Sequence, residues 1–197
     1  MIQRRSLTAA DEVLKVGGQR PPLNGTISFL MQTNGRRQGL RLGIISDTHG
    51  LYDEAITSIF AGVDAIIHAG DIGKLDIIHR LETIAPVFAV EGNNDWFGAY
   101  PTERLEEMSG QRVLIRHIFG ELHQLDRAAH QVLETHRPDV LIFGHSHRPY
   151  RQQLNGTLLF NPGSAGPRRF NLPRTVGLLT LAPTPIEAAI ISLDGIE

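Results

Sequence analysis

From Arg41 onward, short apolar runs alternate with segments of helical periodicity. The runs RLGIIS, DAIIHA, PVFAVE, RVLIR and DVLIF are each bounded by Gly, Asn or Asp, the mark of buried strands. They predict strands at 41–46, 64–69, 86–91, 112–117 and 139–143, with a shorter one near 103–107. Ala55, Ile56, Ile59 and Phe60 fall at helical spacing and predict a helix over 51–60. A second helix is expected near 75–84, with Leu75, Ile78 and Leu81 on one face, and a third at about 122–136, closed by Pro138. Extended segments follow near 149–154, 157–160, 175–182 and 186–192, and Asn155-Gly156 between the first two is a strong hairpin signal. The front half therefore looks like βα units and the back half like antiparallel strands. That combination favours an α/β fold with mixed sheets over a purely doubly wound one.

Residues 1–40 stand apart. They are rich in Gly, Gln, Arg and Pro, with one apolar patch from Ile27 to Met31. The plain expectation is an N-terminal extension, either a disordered tail or the product of an upstream start codon, followed by one domain over 41–197. An ordered arm contacting a neighbouring subunit is the alternative, and a homo-oligomer stays open.

Chemistry gathers where the strands end. RLGIIS leads into Asp47-Thr48-His49, DAIIHA into Gly70-Asp71, PVFAVE into Gly92-Asn93-Asn94-Asp95, RVLIR into His117, and DVLIF into Gly144-His145-Ser146-His147. Loops at strand carboxyl ends are where α/β proteins collect ligand-binding groups. Asp-x-His can turn a carboxylate and an imidazole toward one ion. Asp71, after a glycine that permits close backbone approach, is free to bridge two ions. Gly-His-Ser-His offers two imidazoles, one for each ion. Mixed O/N ligation without sulfur suits Mn²⁺, Fe, Zn²⁺, Co²⁺ or Ni²⁺ and disfavours Ca²⁺ or Mg²⁺ alone. Two such ions ~3.5–4 Å apart can hold the attacking and leaving oxygens of a displacement at phosphorus, with a bound water made a usable hydroxide. Any one of these histidines taken alone is more often a surface or core group; their joint placement at strand ends carries the case. His68 sits inside an apolar run and is expected in the core or behind the ligands. His79, His123, His130 and His136 fall on expected helices and are taken as solvated or structural.

Composition narrows the partners. A net charge of −2 gives no basic stripe for long nucleic acid. The absence of Cys excludes thiolate metal sites and disulfides. No apolar stretch approaches the ~20 residues needed to span a bilayer. A cytoplasmic protein acting on a small phosphate ester is the expectation.

In order, D-x-H, G-D, G-N-x-D, H and G-H-x-H resemble the motifs of the calcineurin-like metallophosphoesterase superfamily, and of its small bacterial and archaeal phosphodiesterase branch in particular. The match runs over residues 41–170, and Asn161-Pro162-Gly163-Ser164 with Pro167-Arg168 also looks like that branch. The resemblance implies a four-layer αββα sandwich with mixed β-sheets and a dinuclear metal site at the strand ends. It implies Asp47, His49, Asp71 and His147 on one metal and Asp71, Asn93, His117 and His145 on the other, Mn being the leading choice. The implied reaction is hydrolysis of a phosphate diester by a metal-bridging hydroxide.

Two departures matter. Many members carry His after the metal-binding Asn, where it protonates the leaving oxygen. Here the position is Asn94, with no titratable proton to give. Asp95 then has no His to orient and is free to brace its loop through backbone N–H groups. After His117 this chain has Ile118-Phe119 in place of Gly and a further His. Arg168 and Arg169 are candidates to clamp a phosphate oxygen, and Trp96 and Phe97 to wall an aromatic leaving group. A phosphomonoesterase, or a non-catalytic scaffold like the retromer subunit of this fold, are the competing expectations.

Overall fold

A computed structural model describes residues 39–120, 126–169, 171–182 and 185–195. Most of the expected N-terminal extension, and His123 with the start of its expected helix, lie outside the described residues. Leu40 already belongs to the first strand, one residue before the expected start at 41.

In chain order the elements are β1 (Leu40–Ile45), α1 (Ala55–Ile59), β2 (Ala65–His68), α2 (Leu75–Glu82), β3 (Val87–Ala89), β4 (Glu103–Met108), β5 (Gln111–Arg116), α3 (Arg127–His136), β6 (Val140–Ile142), β7 (Tyr150–Leu154), β8 (Thr157–Asn161), β9 (Thr175–Leu181) and β10 (Glu187–Ser192). They form two five-stranded sheets, ordered β10-β9-β1-β2-β3 and β4-β5-β6-β8-β7. In the first, β1, β2 and β3 run parallel, β9 pairs antiparallel with β1, and β10 pairs antiparallel with β9. In the second, β5, β6 and β8 are parallel, with β4 and β7 as antiparallel edges.

The back half is thus not simply antiparallel. The Asn155-Gly156 turn does make a hairpin, with both residues at positive φ as a type I′ turn requires. Its second strand, however, inserts beside β6 and runs parallel to it. β8 is buried at all five positions, whereas β7 is polar and half exposed, so β8 takes the inner place and β7 the edge.

Side-chain parity then builds four layers. On one face of the first sheet Ile45 and Ile66 pack with Ile56 and Phe60 near α1 and with Ile78 and Leu81 of α2. Gly43 makes room there, because a Cβ at that position would lie 2.9 Å from the Phe60 ring. On the outer face of the second sheet Leu114, Leu141 and Leu159 pack against Ala129 of α3. Between the sheets Phe160 of β8 lies on Gly177 of β9, where a Cβ would come within 2.5 Å of the ring. This is the αββα sandwich with mixed sheets.

Helix boundaries are tighter than periodicity implies. α1 covers only Ala55–Ile59, preceded by a turn in which Asp53 Oδ1 accepts from Ala55 N. α3 starts at Arg127 because Asp126 caps it, accepting from Ala129 N at 2.8 Å. It ends where Arg137 turns left-handed ahead of Pro138. β3 stops at Ala89, short of the predicted 91, and Glu91 N instead bonds to Pro101 O.

Candidate metal centre

The pairing of β1 with β2 continues past the strand ends. Asp47 N donates to Gly70 O at 2.9 Å, His49 N to Asp71 O at 2.9 Å and Gly50 N to Ile72 O at 2.8 Å. This zipper draws the Asp-Thr-His and Gly-Asp loops side by side. It also bends them sharply: φ is +54° at Asp47, +46° at His49 and +53° at Asp71. On the loop after β6, His145 and His147 sit at +68° and +57°. Five of the seven ligand candidates therefore occupy the left-handed region, at a cost of roughly 1–3 kcal/mol each.

Those bends aim the side chains at one another. His147 Nε2 lies 3.2 Å from Asp47 Oδ1 and 3.2 Å from His49 Nε2. His117 Nε2 lies 3.4 Å from Asp71 Oδ1 and 3.9 Å from Asp47 Oδ1, and His49 Nε2 is 3.7 Å from Asp71 Oδ2. Two groups with metal-ligand spacing result, Asp47–His49–His147 and Asp47–Asp71–His117. Asp47 is common to both. Asp71 touches His49 as well as His117, so both carboxylates span the cluster.

Two atoms test whether a cation fits. Asp47 Oδ1 and His117 Nε2 are buried without a hydrogen-bond partner. The His117 Nδ1 position, 2.8 Å from the Ala69 carbonyl, fixes the proton on Nδ1 in the neutral ring and turns the Nε2 lone pair into the cluster. Leaving such atoms unpaired costs about 1–3 kcal/mol each, and a divalent ion would satisfy both. The donors are oxygen and imidazole nitrogen without sulfur, a set suited to a transition metal.

The charges respond to each other. At Asp71 burial opposes ionisation, but the adjacent His117 ring and the hydrogen bonds from Asn94 outweigh it and hold the carboxyl well below its usual range. At His117 burial disfavours the cation, yet Asp71 and Asp47 together raise its pKa. His49 is lowered, first by burial and then by the nearby Arg169 charge.

The remaining candidates surround this nucleus. Asn93 is exposed and, with His117, lines a cavity of about 470 Å³. The His145 ring stands edge-on to His117 with centroids 5.4 Å apart, while its backbone N donates to Asp47 Oδ2. Asn94 donates its backbone N–H to Asp71 Oδ1 and its amide to Oδ2. Asp95 is buried and braces the loops: Oδ2 accepts from Ile72 N and Gly92 N, and Oδ1 from Gly73 N, all at 2.9 Å. Arg168 is engaged elsewhere, paired with Asp194 at 2.8 Å on the surface. Trp96 is 87% exposed, and Phe97 is exposed as well. His136 pairs with Glu103 at 3.1 Å, a structural role.

Residues outside the expected ligand set hold the cluster together. Ser46 Oγ contacts Asp47 Oδ2 at 2.7 Å, and Ser164 Oγ donates to Asp47 O at 3.0 Å. Asn161 Nδ2 donates to Gly144 O, tying the Asn-Pro-Gly-Ser segment to the His-Ser-His loop. Gly92 and Gly144 allow the close approach: a Cβ would fall 2.2 Å from Asp71 Oδ1 at the first and 2.7 Å from Asp47 Oδ2 at the second. The glycines and the Asn-Pro-Gly-Ser segment carried a signal in the sequence; Ser46, a lone Ser beside a ligand candidate, carried none.

Residues 40–183 match the calcineurin-like phosphoesterase superfamily domain. The chain is 38% identical over 160 residues to a Methanothermobacter thermautotrophicus protein named "Probable metallophosphoesterase", covering 76% of this chain and 91% of that one. It is 27% identical over 154 residues to phosphodiesterase MJ0936 of Methanocaldococcus jannaschii, covering 71% of this chain and 92% of the relative. Vacuolar Protein Sorting 29 from Cryptosporidium parvum shares the fold, with a TM-score of 0.65, 17% identity, and coverage of 80% of this chain and 99% of that one.

Proposed function

The chain belongs to the calcineurin-like phosphoesterase superfamily, and from that membership we propose that it hydrolyses a small phosphate diester using two divalent metal ions, Mn²⁺ foremost. The observation that carries the reading is the pair of three-residue groups sharing Asp47, with the orphaned Asp47 Oδ1 and His117 Nε2 between them. Asp47, His49, Asp71 and His147 would hold one ion, and Asp71, Asn93, His117 and His145 the other. Bound there, the ions would polarise phosphoryl oxygens and lower the pKa of a coordinated water.

The chain's own residues do the positioning. Asn94 and the His117 side chain keep Asp71 ionised. Asp95 locks the loops that carry Asp71 and Asn93. Arg169, whose charge reaches His49, is better placed than Arg168 to meet a substrate anion. No titratable donor occupies position 94, and its amide is committed to Asp71. Leaving groups that need no proton are therefore favoured, and a relative that bears the name phosphodiesterase supports the diester reading.

The test is the initial rate on bis-p-nitrophenyl phosphate, with Mn²⁺ added in one arm and metal stripped by chelator in the other. Hydrolysis should appear with Mn²⁺ and vanish on stripping. No turnover with Mn²⁺ or other divalent ions would refute the diesterase and leave a monoesterase or a scaffold of this fold.

A further inference from the structure

Beneath the two metal-facing loops runs a buried hydrogen-bond chain that the proposed reaction does not use. His68, at the end of β2, is fully buried. Gly70 N donates to its Nδ1 at 3.2 Å, and its Nε2 lies 3.0 Å from Thr48 Oγ1. Thr48 Oγ1 in turn lies 2.9 Å from the Ile72 carbonyl.

Only one proton arrangement satisfies all three contacts. Gly70 N can only donate, so Nδ1 must accept and carry no proton. Nε2 therefore bears the hydrogen and gives it to Thr48 Oγ1. The hydroxyl then gives its own hydrogen to Ile72 O, which can only accept. The imidazole must be neutral for the chain to close, and burial agrees, holding the His68 pKa down to about 4.

The chain joins the two segments that carry Asp47, His49 and Asp71. Thr48 stands between Asp47 and His49, while Gly70 and Ile72 bracket Asp71. These three ligands have left-handed backbones, and carboxylates drawn this close repel in the absence of a cation. The zipper above sets the spacing of the loops through the backbone alone, and the buried Thr48 hydroxyl adds a side-chain tie to both His68 and the Ile72 carbonyl.

We propose that Thr48 and His68 form a positioning clamp that holds Asp47, His49 and Asp71 in their metal-ready arrangement before an ion arrives. The clamp rests on the metal-binding reading of the site. It touches neither ion nor substrate and acts through the ligand loops.

The test is Mn²⁺ affinity, measured by competition with a fluorescent chelator, alongside the thermal midpoint of the metal-free protein. Thr48→Val replaces the hydroxyl with a methyl group at nearly constant volume. It should weaken Mn²⁺ binding about 10–100-fold, the usual cost of losing a partner behind a metal ligand. Thr48→Ser keeps the hydroxyl and should restore most of the affinity. His68→Asn breaks the same contact from the other side, so the double variant should bind no more weakly than the weaker single one. Should Thr48→Val not fold, His68→Asn alone serves in its place, since it loses the donor to Thr48 and retains an acceptor for Gly70. Wild-type affinity in a folded Thr48→Val, or losses that simply add in the double variant, would overturn the clamp even if thermal midpoints fall. Absence of Mn²⁺ or Zn²⁺ binding by the wild type would instead remove the metal reading itself, and the clamp with it.

Discussion

Acidification of the metal-free protein should reveal His68 directly. Its folded pKa is depressed from 6.5 to about 4, first by complete burial, with the His117 charge adding and Asp95, Asp47 and Asp71 opposing. The sign follows from proton counting. Between those two pH values the unfolded chain binds a proton that the folded ring refuses, so stability rises with pH across the window. The contribution is fully present above about pH 6.5, is lost as pH falls toward 4, and changes no further below. At about 1.4 kcal/mol per pH unit, the interval from 6.5 to about 4 corresponds to roughly 3 kcal/mol. No discount for solvent screening applies, since the ring is fully buried. His117 works in the opposite direction: its raised folded pKa adds stability below 6.5 that is lost on going upward. The wild-type curve alone therefore mixes the two, and a comparison is needed. Urea unfolding of chelator-treated wild type and His68→Asn at pH 7, 6, 5 and 4 isolates the His68 part. Asparagine retains an acceptor for Gly70 but does not titrate. The wild type should lose about 3 kcal/mol more than the variant between pH 7 and 4. Parallel curves would refute both the neutral assignment and the burial argument behind it.

Three further substitutions probe the scaffold of the site. Asp95→Asn puts an amide NH₂ where three backbone N–H groups need acceptors, and should destabilise the fold by about 2–3 kcal/mol in urea melts. Gly144→Ala forces a methyl against Ser46 Oγ and Asp47 Oδ2, and should cost roughly 1–3 kcal/mol while weakening metal uptake in a chelator titration. Asn94→His supplies a titratable proton to the leaving oxygen. It should raise turnover of p-nitrophenyl phosphate relative to bis-p-nitrophenyl phosphate, at most by the ~10²–10⁴-fold usual for general acids. A ratio unchanged from wild type would sink the leaving-group argument.

What the sequence made legible is what one-dimensional order can encode. Apolar runs leading into Asp47, Gly70, His117 and Gly144 located β1, β2, β5 and β6, and the residue types at and after those points named the candidate cluster. The hairpin at Asn155-Gly156 was legible for the same reason, because a type I′ turn demands two residues tolerant of positive φ. The insertion of β8 beside β6 was not. Its five consecutive buried positions fit an inner strand of either direction, and direction depends on which neighbour the chain crosses to reach. Arg168 was a candidate by position in a Gly- and Pro-rich turn, and nothing local announces that Asp194 will claim its guanidinium.

The site itself was legible in its donors and opaque in what holds them. An Asp-x-His motif states that two ligands are near one another, but not that both must adopt left-handed backbones to face one point. That geometry arises from the zipper between the β1 and β2 loops, a property of two segments more than twenty residues apart. Once the loops are paired, the strain at Asp47, His49 and Asp71 has to be offset by contacts reaching across from other loops. The Asp95 carboxylate accepts from three backbone N–H groups, Ser164 secures the Asp47 carbonyl, and Thr48 with His68 pins the loops from below. The ligand set is therefore a short-range signal and the preorganisation a long-range one. The buried orphans at Asp47 Oδ1 and His117 Nε2 mark where the two meet: the fold has assembled an unsatisfied pair that a cation completes.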